Sequence, residues 1–212
     1  IYYTDASLKG VAELFAADLS EVLDLSLTAE QGEEIAAFLE KVYSRTVSIM
    51  EKVGDNRKQI LYITGDEGHN VLAKTSYQAE LIDMLTDNIA VVDNPVSKGT
   101  GNEVDLEQLL LWDPDVILFA PDSCFDAIAG DPQWQSLRAV AEGRYYETPC
   151  GPYGWLSSPP AVQRYLGMLW LGELLYPEKM FERLEGILEW KNLTLEKVYG
   201  AKTYDDLIAL CQ

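Results

Sequence analysis

The polar and apolar positions of this chain change period near residue 54, and that change divides it. Before it, Leu8, Val11, Leu14, Phe15, Leu19 and Val22 recur at helical spacing and predict a helix over 7–25. Thr28, with Gln31 three residues on, has the form of a capping box and opens a second helix that runs to about Val53. Its stripe is Ile35, Leu39, Val42, Thr46, Ile49 and Val53, and at ~1.5 Å per residue it reaches almost 40 Å. A helix of that length is either a spacer between lobes or an ordinary long packing helix.

After Gly54-Asp55-Asn56 short apolar runs alternate with short amphipathic ones. Strands are predicted at 60–64, 89–92, 116–119 and 145–147. Helices are predicted from Ser76 to about Leu85, at 105–111, 122–129 and 134–140, and from Pro160 to about Leu175. The segment DLEQLLLWDPDVILF at 105–119 is the most informative of these. Asp105 and Gln108 make a capping box, Leu106, Leu109 and Leu110 give an apolar face, and Asp113-Pro114-Asp115 stops the helix, because a residue before proline is driven out of helical conformation. Val116 to Phe119 is apolar on both faces, as a buried parallel strand requires. The acid pair flanking Pro114 thus has a structural use. The alternation predicts an α/β, doubly wound, mostly parallel sheet of Rossmann-like type, preceded by the long helix. Residues 177–212 look like two or three further helices, and Ile1-Tyr2-Tyr3 like part of a strand, so that something is expected to precede the chain.

Charge narrows the function. There are 35 acids against 16 bases, a net charge of −19, which disfavours phosphate backbones and anionic membranes and favours solubility. No nucleic-acid partner is expected. No apolar run reaches the ~20 residues of a bilayer span. Cys124, Cys150 and Cys211 are too few and too scattered for a disulfide framework or a zinc site. One histidine, no HExxH and no GxSxG give no basis for hydrolytic or metal catalysis, and neither an enzyme nor a cofactor is expected.

In an open parallel sheet ligands meet the loops at the carboxyl ends of the strands. Three such loops stand out. Residues 65–70 hold His69 and Asn70; that histidine is either a cleft group or a plain surface residue. Residues 93–104 hold Lys98, Thr100 and Asn102 among glycines that allow close backbone approach, without the order of a P-loop. Residues 148–160, TPCGPYGWLSSPP, present Tyr153 and Trp155 in a proline-stiffened loop with Ser157 and Ser158 near a helix start. Aromatic faces suit flat, apolar or cationic ligands, and a helix start suits an anion. Alternatively Trp155 packs into its own lobe.

The 105–119 segment, DPQWQSLRAVAEGRYYETP at 131–149 and the Trp155 loop followed by a long helix occur in an order that resembles the solute-binding proteins of ABC importers for iron–siderophores, haem or cobalamin. The resemblance implies two Rossmann-like lobes joined by a long helix, with ligand in the cleft between them. Residues 1–27 would be a remnant of the first lobe, 28–53 the spanning helix and 54–212 the second lobe with its C-terminal helices. It further implies a monomer, extracytoplasmic as a periplasmic protein or a membrane-anchored lipoprotein, that delivers a metal complex to a membrane permease. Glu107 matches the second-lobe glutamate that docks onto permease arginines; otherwise it is a solvated helix residue. Two other readings stay open: the same scaffold with a small oxyanion such as molybdate, and a cytosolic α/β enzyme using the loops for a phosphorylated ligand.

Overall fold

The structure, a computed structural model, describes residues 29–93, 95, 101–121, 123–150, 153–157 and 163–177. The predicted helix at 7–25, the strand at 1–3 and the helices beyond 177 lie outside the described residues. The chain divides into two compact units, residues 1–52 with 160–212, and residues 53–159.

In the first unit, α1 (Ala29–Val53) is a single helix of 25 residues, about 38 Å long. Leu39, Val42, Thr46 and Ile49 of the predicted stripe are buried, joined by Phe38 and Met50. Thr46 turns its hydroxyl back onto the Val42 carbonyl at 2.8 Å, so the polar member of the stripe is satisfied within the helix. The last helix described, Arg164–Leu175, is almost wholly buried and lacks a polar face.

The second unit is built on β1 (Gln59–Thr64). The other strands are β2 (Asn70–Val71), β3 (Asp87–Asn88), β4 (Asn102–Glu103), β5 (Val116–Phe119) and β6 (Tyr145–Glu147). They form one sheet in the order β4-β2-β1-β5-β6, with β3 also paired to β1. β1, β3, β5 and β6 run parallel. β2 and β4 run antiparallel, a feature the sequence reading lacks. One side of β1 is therefore shared: Gln59 and Ile60 pair with β3, and Ile63 and Thr64 with β2.

Leu61, Ile63, Ile117 and Phe119 point to one face of this sheet and pack with Leu109, Ile128, Trp134, Leu137 and Val140. These come from α3 (Leu106–Trp112), α4 (Phe125–Ile128), a 3-10 turn at Trp134–Ser136, Leu137 just after it and α5 (Arg138–Ala141), α2 being Glu80–Leu85. Phe119 meets Phe125, Trp134 and Tyr145 edge-on, with centroids 5.6 to 6.3 Å apart.

Four local expectations are corrected. The ladder of β3 sits at 87–88 and not at 89–92, because the Asn88 side chain accepts from the Ala90 amide and turns the chain away. Ser76 makes no side-chain cap: a 3-10 turn at Tyr77–Ala79 comes first, and the Asp83 carboxylate takes the Thr75 amide at 2.7 Å, holding Thr75 at φ 69. The predicted helix at 134–140 is broken at Leu137, which is extended. Finally, Leu110 is not on the buried side of α3, where Leu109 is sealed and Leu106 and Trp112 pack beside it. The cap of α3 is as expected, with Asp105 accepting from the Gln108 amide at 2.8 Å. Its end is held by Arg138, which donates to both Asp113 oxygens at 3.0 and 3.1 Å and to the Asp113 carbonyl while Asp113 adopts φ 41.

Candidate functional site

Parallel strands β1, β5 and β6 end at Thr64, Phe119 and Glu147, and the loops that follow lie along one edge of the sheet. Ala120 donates to the Ile63 carbonyl and Thr148 to the Phe119 carbonyl, which ties each loop's start to the next strand. The return of the second loop reaches the same edge. A Cβ on Gly101 would stand 2.7 Å from the Val71 carbonyl oxygen and 2.9 Å from Thr64 Oγ1, so only glycine fits, and its φ of 71 requires the same. Gly68, at φ 70, has equally little room: a Cβ would lie 2.5 Å from Cys124 Sγ and 2.6 Å from the Trp134 ring. That contact sets the 65–69 turn against the loop after β5.

His69 is exposed at the edge, and its carbonyl accepts from the Val104 amide at 2.7 Å. Asn70 is half-buried beside Gly65. Asn102 is buried and donates to the Val71 carbonyl at 3.4 Å, which gives this side chain a use within the sheet. Lys98, Thr100 and Ser158 lie outside the described residues. The third loop doubles back on itself, with Cys150 bridged to Gly154 and the Trp155 amide donating to the Pro149 carbonyl. Tyr153 stands at the bend, 52% exposed, and Trp155 has no exposed surface. Trp155 is thus an anchor for the loop and not an exposed aromatic face; the short closed turn leaves that place to Tyr153.

Beneath this loop Ser157, one of the predicted site residues, meets a group that the sequence reading did not single out. Tyr62, fully buried on β1, and Ser157, also buried, share a hydrogen bond of 3.1 Å between their hydroxyls. Burial pushes the Tyr62 phenol above its ordinary value, and the neighbouring Ser157 and Thr148 side chains partly oppose that shift. The signal was a lone tyrosine in an apolar strand, since a buried phenol needs a partner. Glu107 stands elsewhere, exposed in the first turn of α3, where its charge also favours the helix N-terminus. Among the described residues no group of three or more His, Cys, Asp or Glu is placed to hold a metal ion. Cys124 and Cys150 are free thiols, and burial raises the pKa of Cys124.

Residues 19–150 match the sequence pattern of a family described as periplasmic binding protein. The chain belongs to that family. Periplasmic binding proteins are extracytoplasmic binding proteins and not enzymes, which removes the cytosolic-enzyme reading. A comparison with curated protein sequences finds no match.

Solved structures share the fold. An ABC transporter solute-binding protein from Sulfurospirillum deleyianum superposes with a TM-score of 0.81 at 22% identity, over 96% of this chain and 62% of its own. The molybdate periplasmic binding protein MolA of Haemophilus influenzae, bound to molybdate, gives 0.64 at 20% identity, over 93% and 56%. A protein of an ABC-type Fe3+-hydroxamate transport system from Saccharomonospora viridis gives 0.53 at 18% identity, over 80% and 56%. The chain thus spans under two thirds of the length of each. Among the described residues no helix is long and apolar enough to cross a membrane.

Proposed function

We propose that this chain is part of the extracytoplasmic solute-binding component of an ABC importer that captures a metal complex, such as an iron–siderophore, haem or cobalamin, and delivers it to a membrane permease. The observation that carries this reading is the gathering of the strand-end loops along one edge, with Tyr153 and His69 exposed there, in a periplasmic binding protein. The protein works as a monomer, free in the periplasm or anchored as a lipoprotein. The helix α1 acts as the spacer between lobes, so closure over the cargo is a small movement rather than a wide hinge. Tyr153 supplies an aromatic face to the cargo, and Glu107 meets arginines of the permease.

The test is calorimetric titration of the full-length protein with a ferric siderophore, haem, cobalamin and molybdate. One of the three metal complexes binds with a Kd of about 1 µM or tighter, on the order of −8 kcal/mol. Heatless titrations with all three, and no thermal shift, would end the reading.

A second reading, a small oxyanion, is favoured by the likeness to the molybdate-binding MolA. Molybdate binding alone in the same titration would establish it in place of the first.

A further inference from the structure

The exposed face of α3 combines acid and oil. Glu107, Leu110 and Leu111 occupy positions i, i+3 and i+4, so their side chains lie side by side on one surface of the helix. Leu111 is 79% exposed and Leu110 39%, while Leu109, just before them, is sealed in the core. The helix is capped at Asp105 and clamped at Asp113 by Arg138, so this face is held in place and does not arise from fraying. Asp105 and Glu103, just before the helix, are exposed too, and no ion pair to Glu107 occurs among the described residues.

Single exposed leucines are common and need no explanation. Here two adjoin a carboxylate on a rigid element, which is the composition of a contact with an apolar centre and a charged margin. We propose that Leu110 and Leu111 form the apolar centre of the surface that docks onto the permease, with Glu107 as its charged margin. This rests on the permease reading above. The charge selects the occupant: an acidic rim on a helix that itself carries no base calls for a cationic protein surface carrying an apolar hollow. Anionic lipid is repelled by Glu103, Asp105 and Glu107, and a second copy of this chain would set like charges against each other.

The two parts of the contact respond differently to salt. An exposed charge pair is screened within about 8 Å at physiological ionic strength, whereas buried leucine is not. The experiment compares wild type, L111S, L111Q and E107A of the full-length protein for binding to its permease in nanodiscs, at 0.05 and 0.5 M salt. It includes empty nanodiscs and measures melting temperature, cargo affinity and oligomeric state. L111S and L111Q weaken permease binding about tenfold or more at both salt concentrations. E107A weakens it at low salt and much less at high salt, the leucine variants keep wild-type melting temperature, and all three keep wild-type cargo affinity.

Wild-type binding by both leucine variants, with E107A impaired, would overturn the apolar centre and leave the permease reading standing. No permease binding by wild type would overturn both. A lowered melting temperature in the leucine variants, loss of a dimer, or leucine-dependent binding to empty nanodiscs would assign the face to the protein's own packing, to a second copy or to lipid, and overturn the proposal.

Discussion

Trp155 and Tyr153 are two residues apart and have opposite burial, and this separates their roles. Trp155→Ala removes a fully buried ring and costs about 3–5 kcal/mol of stability, read as a lowered urea midpoint in a protein that still binds cargo below the transition. Tyr153→Ala leaves the midpoint unchanged and weakens cargo affinity about tenfold in calorimetry. Composition could not tell these two aromatics apart, because burial depends on how the Cys150–Gly154 bridge folds the loop. Asp83 gives a pH signature. Burial raises its pKa, outweighing the Thr75 amide and Asn88 side chain that it accepts from, so the folded state holds its proton more tightly than the unfolded chain. Its contribution is complete below about pH 4 and is lost as pH rises through the raised folded value. Asp83→Asn confronts one of the two donors with an NH2 and costs about 1–3 kcal/mol. The deficit relative to wild type is largest in acid and shrinks toward neutral pH, as urea titrations across pH 3–7 will show.

Elements whose signals are local were legible; those made by long-range pairing were not. The helix α1 and the α3–β5 unit follow from periodicity, a cap and a proline, and each lies within a residue or two of its expected bounds. Strands β2 and β4 have two residues each: β2 exists by closing a hairpin on β1, and β4 by pairing with β2 across some thirty positions. No pattern of period two fits in two residues. The same limit explains Leu110: a seven-residue helix gives too few turns to fix which of two adjoining leucines faces the core. Asp105→Ala tests how far α3 depends on its cap. It lowers stability by about 1 kcal/mol in urea unfolding, with the α3 amides losing protection first in hydrogen exchange.

At the scale of the molecule, class, charge and family resemblance were readable from the residues, and the arrangement of the candidate site only partly so. The loops at 65–70 and 148–160 do begin at strand ends, whereas the Tyr62–Ser157 contact spans 95 positions and has no local trace. The ladder of β1 with β5 forms the centre of the sheet, so the amides of 60–63 and 117–119 should exchange slowest in the 53–159 unit, and faster exchange there than in α4 would contradict this topology. The division of β1's flank carries a further consequence. Its lower half joins a parallel frame, while its upper half carries the hairpin that borders the candidate site. Under the proposed function, cargo preference can then be altered at the exposed hairpin residues Asp66, Glu67 and His69 while the ladder that specifies the fold stays untouched.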